Sequence, residues 1–197
     1  SMATPIDKIH AFWFGPLTAD GMSAPSQHAL WFTKQEDTDR EIATQFQSLV
    51  EQALTGDLDE WADSPEGLIA LILLLDQFTR NIFRNSANAF AGDAKALEFA
   101  QTALFEKRHL TMPPIHQVFL LMPLEHNEDL AVQEQCVDAF RALHERTGLP
   151  QIADFSRYAI AHRDVIVQFG RFPHRNAVLD RPSTEDELAY LEKHGGF

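Results

Sequence analysis

Residues Leu68 to Leu75 read LIALILLL, an unbroken apolar run. A helix that is apolar all round has to be surrounded by protein, and the run is far too short to cross a bilayer. It therefore marks the centre of a helical core. Its start is well signalled: Ser64 is a good N-cap, Pro65 suits the first helical position, and Glu66 complements the positive end of the helix dipole. The same helix is expected to continue to Arg84 and to change character at Asp76. At 100° per residue, Asp76, Gln77, Arg80, Asn81 and Arg84 fall in one sector, opposite Phe78, Ile82 and Phe83. Asp76, Arg80 and Arg84 are spaced i, i+4, i+8 with the acid first, the favourable order for pairing along a helix. Either the helix runs out into solvent there, or this sector lines a polar pocket.

The remaining periodicity is helical as well. A short aromatic helix is expected from Pro5 to Phe14, stopped by Gly15-Pro16, and a loop-like stretch from Leu17 to Ser26. An amphipathic helix follows over Asp37–Leu54, ended by Gly56, with Trp61 as an anchor in the next link. Asp93–Lys107 carries a small-residue stripe of Ala94, Leu97, Ala100, Ala103 and Leu104, suited to close helix approach. Thr111 and Pro113-Pro114 open a second buried helix through Val118–Met122, which exits into Glu125-His126-Asn127-Glu128-Asp129. Asn127 is expected to cap a helix to Arg146, followed by a turn at Gly148-Leu149-Pro150. Phe155, Tyr158, Ala159, His162, Ile166 and Phe169 share a face of the helix that ends at Gly170, and Ser183 with Asp186 matches a capping box for a last helix that closes at Gly195-Gly196. No stretch reads as a strand. The fold class expected is all-α, with about seven or eight helices in antiparallel pairs around two buried helices, one domain over residues 5–194. Residues 1–4 are read as a tail, Ser1 before Met2 resembling the remnant of a cleaved tag.

Charge narrows the function classes. A net charge of −13 over 197 residues argues against nucleic acid and against anionic membranes as partners. A single cysteine, Cys136, excludes an internal disulfide or a multi-cysteine zinc site. Without a leader or a membrane-length apolar run, a cytoplasmic location is the default expectation. Against this acidic background, Arg157 to Arg181 holds five Arg and only two Asp, a local balance of +3. Such an island needs carboxylate partners from its own chain or an anion from outside.

The strings LLDQFTRNIFR, AFAGD, PLEHNED and FGRFPHRN, in this order, resemble an uncharacterised bacterial family catalogued as domain of unknown function family 924. The resemblance spans Ile6 to Leu191. It implies an all-helical fold similar to tetratricopeptide-like arrays and brings no reaction or substrate. It also implies Ser as the usual residue at position 127 and Gly at position 180, where this chain has Asn127 and Asp180.

Three functional readings follow from these residues. In the first, the protein is a binding scaffold whose Arg/His pocket takes a small anionic ligand or an acidic peptide. Asp76, Arg80, Asn81, Arg84, Arg171, His174, Arg175 and Asn176 would form that pocket. In the second, it is an enzyme acting on an anionic small molecule, with Glu125, His126 and His162 as acid–base candidates. In the third, the polar clusters are a structural ion-pair network, the acids at the exit of the second buried helix meeting Arg80, Arg84 and Arg171. No cofactor and no metal site is expected, a ligand set of His126, Asp129 and another His being the weak exception; no phosphate-binding loop, dinucleotide fingerprint or zinc motif occurs. Oligomeric state is open.

Overall fold

The hydroxyl of Ser64 accepts a hydrogen bond from the Gly67 amide at 3.0 Å, so the central helix starts where the sequence places its cap. The computed structural model describes residues 2–195; Ser1 and Gly196, assigned above to a tag remnant and to the closing turn, lie outside them. The described residues are helical and loop, with one isolated antiparallel bridge between Leu17 and Ser23 in place of any sheet. The helices are α1 (Pro5–Trp13), α2 (Gln27–Phe32), α3 (Glu36–Thr55), α4 (Pro65–Ile72), α5 (Thr79–Ile82), α6 (Asp93–Phe105), α7 (Pro114–Glu125), α8 (Leu130–Thr147), α9 (Pro150–Phe169) and α10 (Glu185–His194). Short 3-10 turns link several of them, one of which, Asp59–Asp63, carries Trp61. None of these helices is long and apolar enough to cross a membrane. They form two compact units. One contains the residues up to Arg84 together with Asn88–Pro123; the other contains Asn85–Ala87 and the residues from Leu124 onward.

In the first unit the run from Pro65 to Ile82 is continuous but not uniform. Leu73–Phe78 is a π-helical segment between α4 and α5. A π turn bonds i to i+5 and leaves carbonyls misaligned with the regular ladder. Side chains take these up: the Thr79 hydroxyl donates to Leu75 O at 2.9 Å and to Asp76 O at 3.3 Å, and Arg80 Nη1 donates to Asp76 O at 2.7 Å. Leu68 through Leu75 are all buried, as the apolar run requires. Phe78, fully buried, stacks on Phe46 of α3 at 5.2 Å and meets the edges of Trp13 at 5.5 Å and Phe12 at 6.3 Å. Burial of one such ring contributes roughly 1.5–3 kcal/mol.

The small-residue face of α6 is Ala96, Ala100 and Ala103, whereas Ala94 points outward. Alanine at i, i+4, i+7 lets α6 lie close to α4 and to the π segment. The nearest approach is at Gly92, its N-cap, where an added Cβ would sit 2.2 Å from Leu75 O. The stretch from Leu17 to Ser26, expected as a mobile loop, is instead anchored: Met22 and Ser23 are buried, and the Ile115 amide donates to Gly21 O at 3.1 Å. Gln27 and Trp31 of α2 then cap the last carbonyls of α1, Gln27 Nε2 reaching Trp13 O at 2.7 Å and Trp31 Nε1 reaching it at 2.9 Å.

The second unit is built on the α8/α9 pair, joined by Gly148 in the left-handed region and Leu149. Its caps fall two residues and one residue later than expected. Asp129, not Asn127, caps α8 by accepting from the Val132 amide; Asn127 Oδ1 instead accepts from the Asp129 amide at 2.9 Å, closing an Asx turn. Thr184 with Glu187, not Ser183 with Asp186, forms the capping box of α10. Ile152, Phe155, Ala159, Val165 and Ile166 make the inner face of α9, while Tyr158, expected on it, is exposed. Gly195 caps α10 in the left-handed region.

Candidate functional site

Each unit gathers its own polar cluster. In the first, the arginines after the π segment are held by carboxylates. Arg80 makes a two-pronged pair with Asp93, at 2.8 and 3.0 Å, and approaches Asp76 Oδ1 at 3.5 Å. Its guanidinium lies 5.3 Å over the Phe90 ring. Burial works against the Arg80 charge, but Asp76 and Asp93 outweigh it and raise its pKa. Arg84 forks onto Asp39 of α3 at 2.7 and 2.9 Å, and Asn81 Nδ2 adds a third bond to the same carboxylate at 2.9 Å. Burial pushes Asp39 up; the Arg84 and Asn81 hydrogen bonds more than reverse that and hold it below the usual carboxylate range. The unit also has an open cavity of about 560 Å³ between Leu68, Phe99 and Arg108, where Asp59 and Lys95 pair at 2.7 Å.

The second cluster is assembled around Phe172, a fully buried ring. Arg175 lies 4.7 Å over its face, His162 meets it edge-on at 5.6 Å, and His174 is 5.7 Å away. Arg175 Nη2 donates to the backbone carbonyl of His126 at 2.7 Å, which ties the PLEHNED segment to FGRFPHRN. The buried Glu125 places Oε2 3.8 Å from His162 Nδ1. That nitrogen also lies 2.8 Å from Tyr158 O. A carbonyl only accepts, so Nδ1 carries the proton and the neutral ring has its lone pair on Nε2. Burial lowers the His162 pKa to about 3; the Tyr158 carbonyl pulls the other way, and the Arg175 guanidinium with the neighbouring imidazoles adds to the lowering.

The walls of this cluster are fixed by seven further hydrogen bonds. Glu128 takes the Phe172 amide at 2.6 Å and both prongs of Arg181 at 2.9 and 3.1 Å. Arg181 Nε donates to Asn176 Oδ1 at 3.0 Å, and Asn176 Nδ2 donates to Ser183 Oγ at 3.1 Å. Gln133, fully buried on α8, donates from Nε2 to Glu125 O and Asn127 O, both at 2.7 Å, and so holds the end of α7. Arg171 points elsewhere, forking onto Glu187 at 2.9 and 2.7 Å. The Arg171 hydrogen bonds, against a smaller effect of burial, bring the Glu187 pKa down to about 2. Cys136 is buried, and burial together with the Glu125 charge raises its pKa well above the ordinary thiol value. Among the described residues, no group of three or more His, Cys, Asp or Glu side chains is arranged to hold a metal ion.

The model of the bacterial protein family of unknown function DUF924 matches residues 9–195. The chain belongs to this family. A DUF924-like likeness also extends to a solved structure, a protein of unknown function, ATU0120, from Agrobacterium tumefaciens: 35% identity, a TM-score of 0.76, and coverage of 86% of this chain and 90% of that one. No curated protein matches the chain.

The strings that carry the DUF924 resemblance acquire physical roles. In AFAGD, Phe90 lies under Arg80, Gly92 allows the contact with Leu75, and Asp93 receives the Arg80 fork. Asp180, where the resemblance implies Gly, has φ 55, a left-handed conformation that favours glycine. Of the residues named from sequence, Asp76, Arg80, Asn81 and Arg84 share the first cluster, and Glu125, His126, His162, His174, Arg175 and Asn176 share the second; Arg171 bonds Glu187 and Pro182 O. Arg80, Arg84 and Arg171 pair with Asp93, Asp39 and Glu187 rather than with the acids at the exit of α7. Asp93, Asp39 and Glu187, with Arg181 and Gln133, were not identified as site residues from sequence. Only Glu187 left a local signal, as the fourth member of a T-x-x-E box.

Proposed function

We propose that the protein binds a small anionic ligand at the cluster of Glu125, His126, His162, His174 and Arg175. The observation that carries this reading is the convergence of Arg175, His162 and His174 on the Phe172 ring, with Arg175 also bonded to His126 O, within one unit of an acidic chain. An anion there would be favoured by the permanent charge of the Arg175 guanidinium. The forks of Arg80, Arg84 and Arg171 hold Asp93, Asp39 and Glu187, and these arginines fit a structural ion-pair role.

A second reading has its own support. A neutral imidazole whose Nδ1–H is anchored by a backbone carbonyl, beside a buried carboxylate 3.8 Å away, is oriented as a general base would be. In that case the anion is a substrate, and its arrival raises the proton affinity of His162 towards a useful range.

The test is a thermal-shift screen of the protein against phosphate esters, mono- and dicarboxylates and acidic peptides, repeated with His174→Gln and Arg175→Ala. A ligand at about 100 times its dissociation constant adds about 2.7 kcal/mol, and a domain of this size gains roughly 2–4 °C per kcal/mol. One anion class is expected to raise the wild-type midpoint and not that of a folded His174→Gln. If no anion shifts the wild type, or the shift survives in both variants, the proposal fails. Turnover of the anion found, lost in His162→Gln while binding persists, would select the catalytic reading.

A further inference from the structure

Lys95, Glu98, Phe99 and Thr102 are spaced i, i+3, i+4, i+7 on α6, so they share one face of that helix. This face lines one side of the open cavity of about 560 Å³, whose lining lies wholly within the first unit. The 3-10 turn Asp59–Asp63 forms a second side with its two end residues. Leu68 of α4, 1% exposed, and the half-buried Phe99 make part of the lining apolar. Arg108 enters from the turn after α6, where Lys107 breaks the helical path with a left-handed φ of 60. The charges around the cavity are only partly matched. Lys95 Nζ pairs with Asp59 Oδ1 at 2.7 Å. Arg108 differs: its backbone carbonyl takes the Thr111 hydroxyl, but its guanidinium has no hydrogen-bond or ion-pair partner among the described residues. The same holds, among those residues, for the carboxylates of Asp63 and Glu98 and the hydroxyl of Thr102. A guanidinium and two carboxylates therefore line one concavity without pairing with one another.

We propose that this cavity binds a small zwitterion with an apolar side chain, a free α-amino acid or a dipeptide. Arg108 offers its planar fork to the ligand carboxylate. Asp63 and Glu98 accept from the ligand ammonium, and the Thr102 hydroxyl can serve either end. Leu68 and Phe99 cover the apolar side chain. With Lys95 and Asp59 neutralising each other, the lining is close to neutral, which disfavours a ligand of large net charge of either sign. The volume falls within the range of about 300–1,000 Å³ usual for small-molecule sites. The proposal stands apart from the Arg175 cluster, and neither depends on the other.

The experiment is calorimetric titration of the full chain with L-leucine and with L-leucyl-L-leucine, and with two analogues of leucine that keep one charge each, isocaproate and isoamylamine. At least one zwitterion is expected to bind saturably, and the tighter of the two tells a free amino acid from a peptide. Each one-charge analogue is expected to bind about tenfold or more weakly. Arg108→Gln is expected to weaken zwitterion binding by about tenfold or more, as is the double variant Asp63→Asn with Glu98→Gln. None of these side chains has a partner among the described residues, so the variants keep the fold, which an unchanged melting temperature checks. Lys107→Gln removes an exposed neighbouring charge outside the cavity and is expected to leave the affinity as it is. No saturable binding of either zwitterion overturns the proposal. So does a one-charge analogue that binds as tightly as leucine, unchanged affinity in Arg108→Gln, or a loss in Lys107→Gln equal to that in Arg108→Gln.

Discussion

Gly92 has φ −94, a conformation open to any residue, so backbone preference does not require glycine there. Space does. In Gly92→Ala the new Cβ would lie 2.2 Å from Leu75 O and 2.9 Å from both Leu75 C and Leu75 Cα, all backbone atoms of the π segment. Relief to ordinary contact requires the start of α6 to retreat by about 1 Å, and overpacking of this kind costs about 1–3 kcal/mol. The same retreat stretches the Arg80–Asp93 bonds, now 2.8 and 3.0 Å, past useful length. A charged hydrogen-bonded pair contributes about 1.5–3 kcal/mol. The total is about 2.5–6 kcal/mol, or a fall in melting temperature of roughly 5–24 °C for a protein of this size. Gly170→Ala is the control: its φ of +74 strains an alanine, yet nothing lies within 4 Å of the new Cβ. Calorimetric melts of the two variants separate crowding from backbone strain. If Gly92→Ala melts within about 2 °C of wild type, or above Gly170→Ala, the packing account of AFAGD is refuted. A further check is that Asp93→Asn should cost less in the Gly92→Ala background than alone, because the pair is already loosened.

At position 180 the argument is the reverse, since φ 55 is costly for a side chain and the space is not in question. Asp180→Gly is expected to match or exceed wild-type stability, and Asp180→Ala to fall about 1 kcal/mol below Asp180→Gly in urea unfolding; an alanine variant as stable as the glycine one refutes the strain. Glu187 gives a pH signature. Its folded-state pKa of about 2 lies below the ordinary carboxylate value, so the Arg171 fork stabilises the fold fully above about pH 4.5 and loses that contribution as pH falls towards 2. The gap in urea midpoint between wild type and Glu187→Gln is therefore expected to be widest at neutral pH and to narrow steadily below about pH 4.5; a gap that is constant from neutral to about pH 3 contradicts the assignment.

Local signals in the sequence located the helices, and contact partners did not announce themselves. The Ser64 cap and the Leu68–Leu75 run are decided within one or two turns of helix, so spacing alone placed them. The caps of α8 and α10 were displaced because adjacent residues compete for the same role. Asn127 and Asp129 can each cap, and the choice goes to Asp129 because Gln133 holds Asn127 O from the far side. Ser183 and Thr184 compete likewise, and Thr184 prevails with Glu187, which also receives Arg171, while Ser183 accepts from Asn176. The π segment left no trace in the periodicity. A heptad-like pattern says which face is apolar, not which carbonyls are held by Thr79 and Arg80, and those side chains let the ladder slip by one residue.

The same physics explains why the polar half of the central helix admitted two readings from sequence. Asp76, Arg80 and Arg84 at i, i+4, i+8 look alike whether they pair along the helix or reach other elements. Arg84 reaches back to Asp39 of α3, a carboxylate 45 residues upstream, and Arg80 reaches forward to Asp93 at the start of α6. Each guanidinium thereby fastens a helix that the apolar run alone would pack less specifically, with Phe78 and Leu75 supplying the burial and Arg84 and Arg80 the register. The Phe172 cluster follows the same rule at Glu128 and Arg181, where the fork and the Phe172 amide converge on one carboxylate. Arg175 adds a bond to His126 O and lies over the Phe172 face. These contacts fix its guanidinium beside His162 and His174, which pack on the same ring, and that convergence is the physical reason to look for the ligand there.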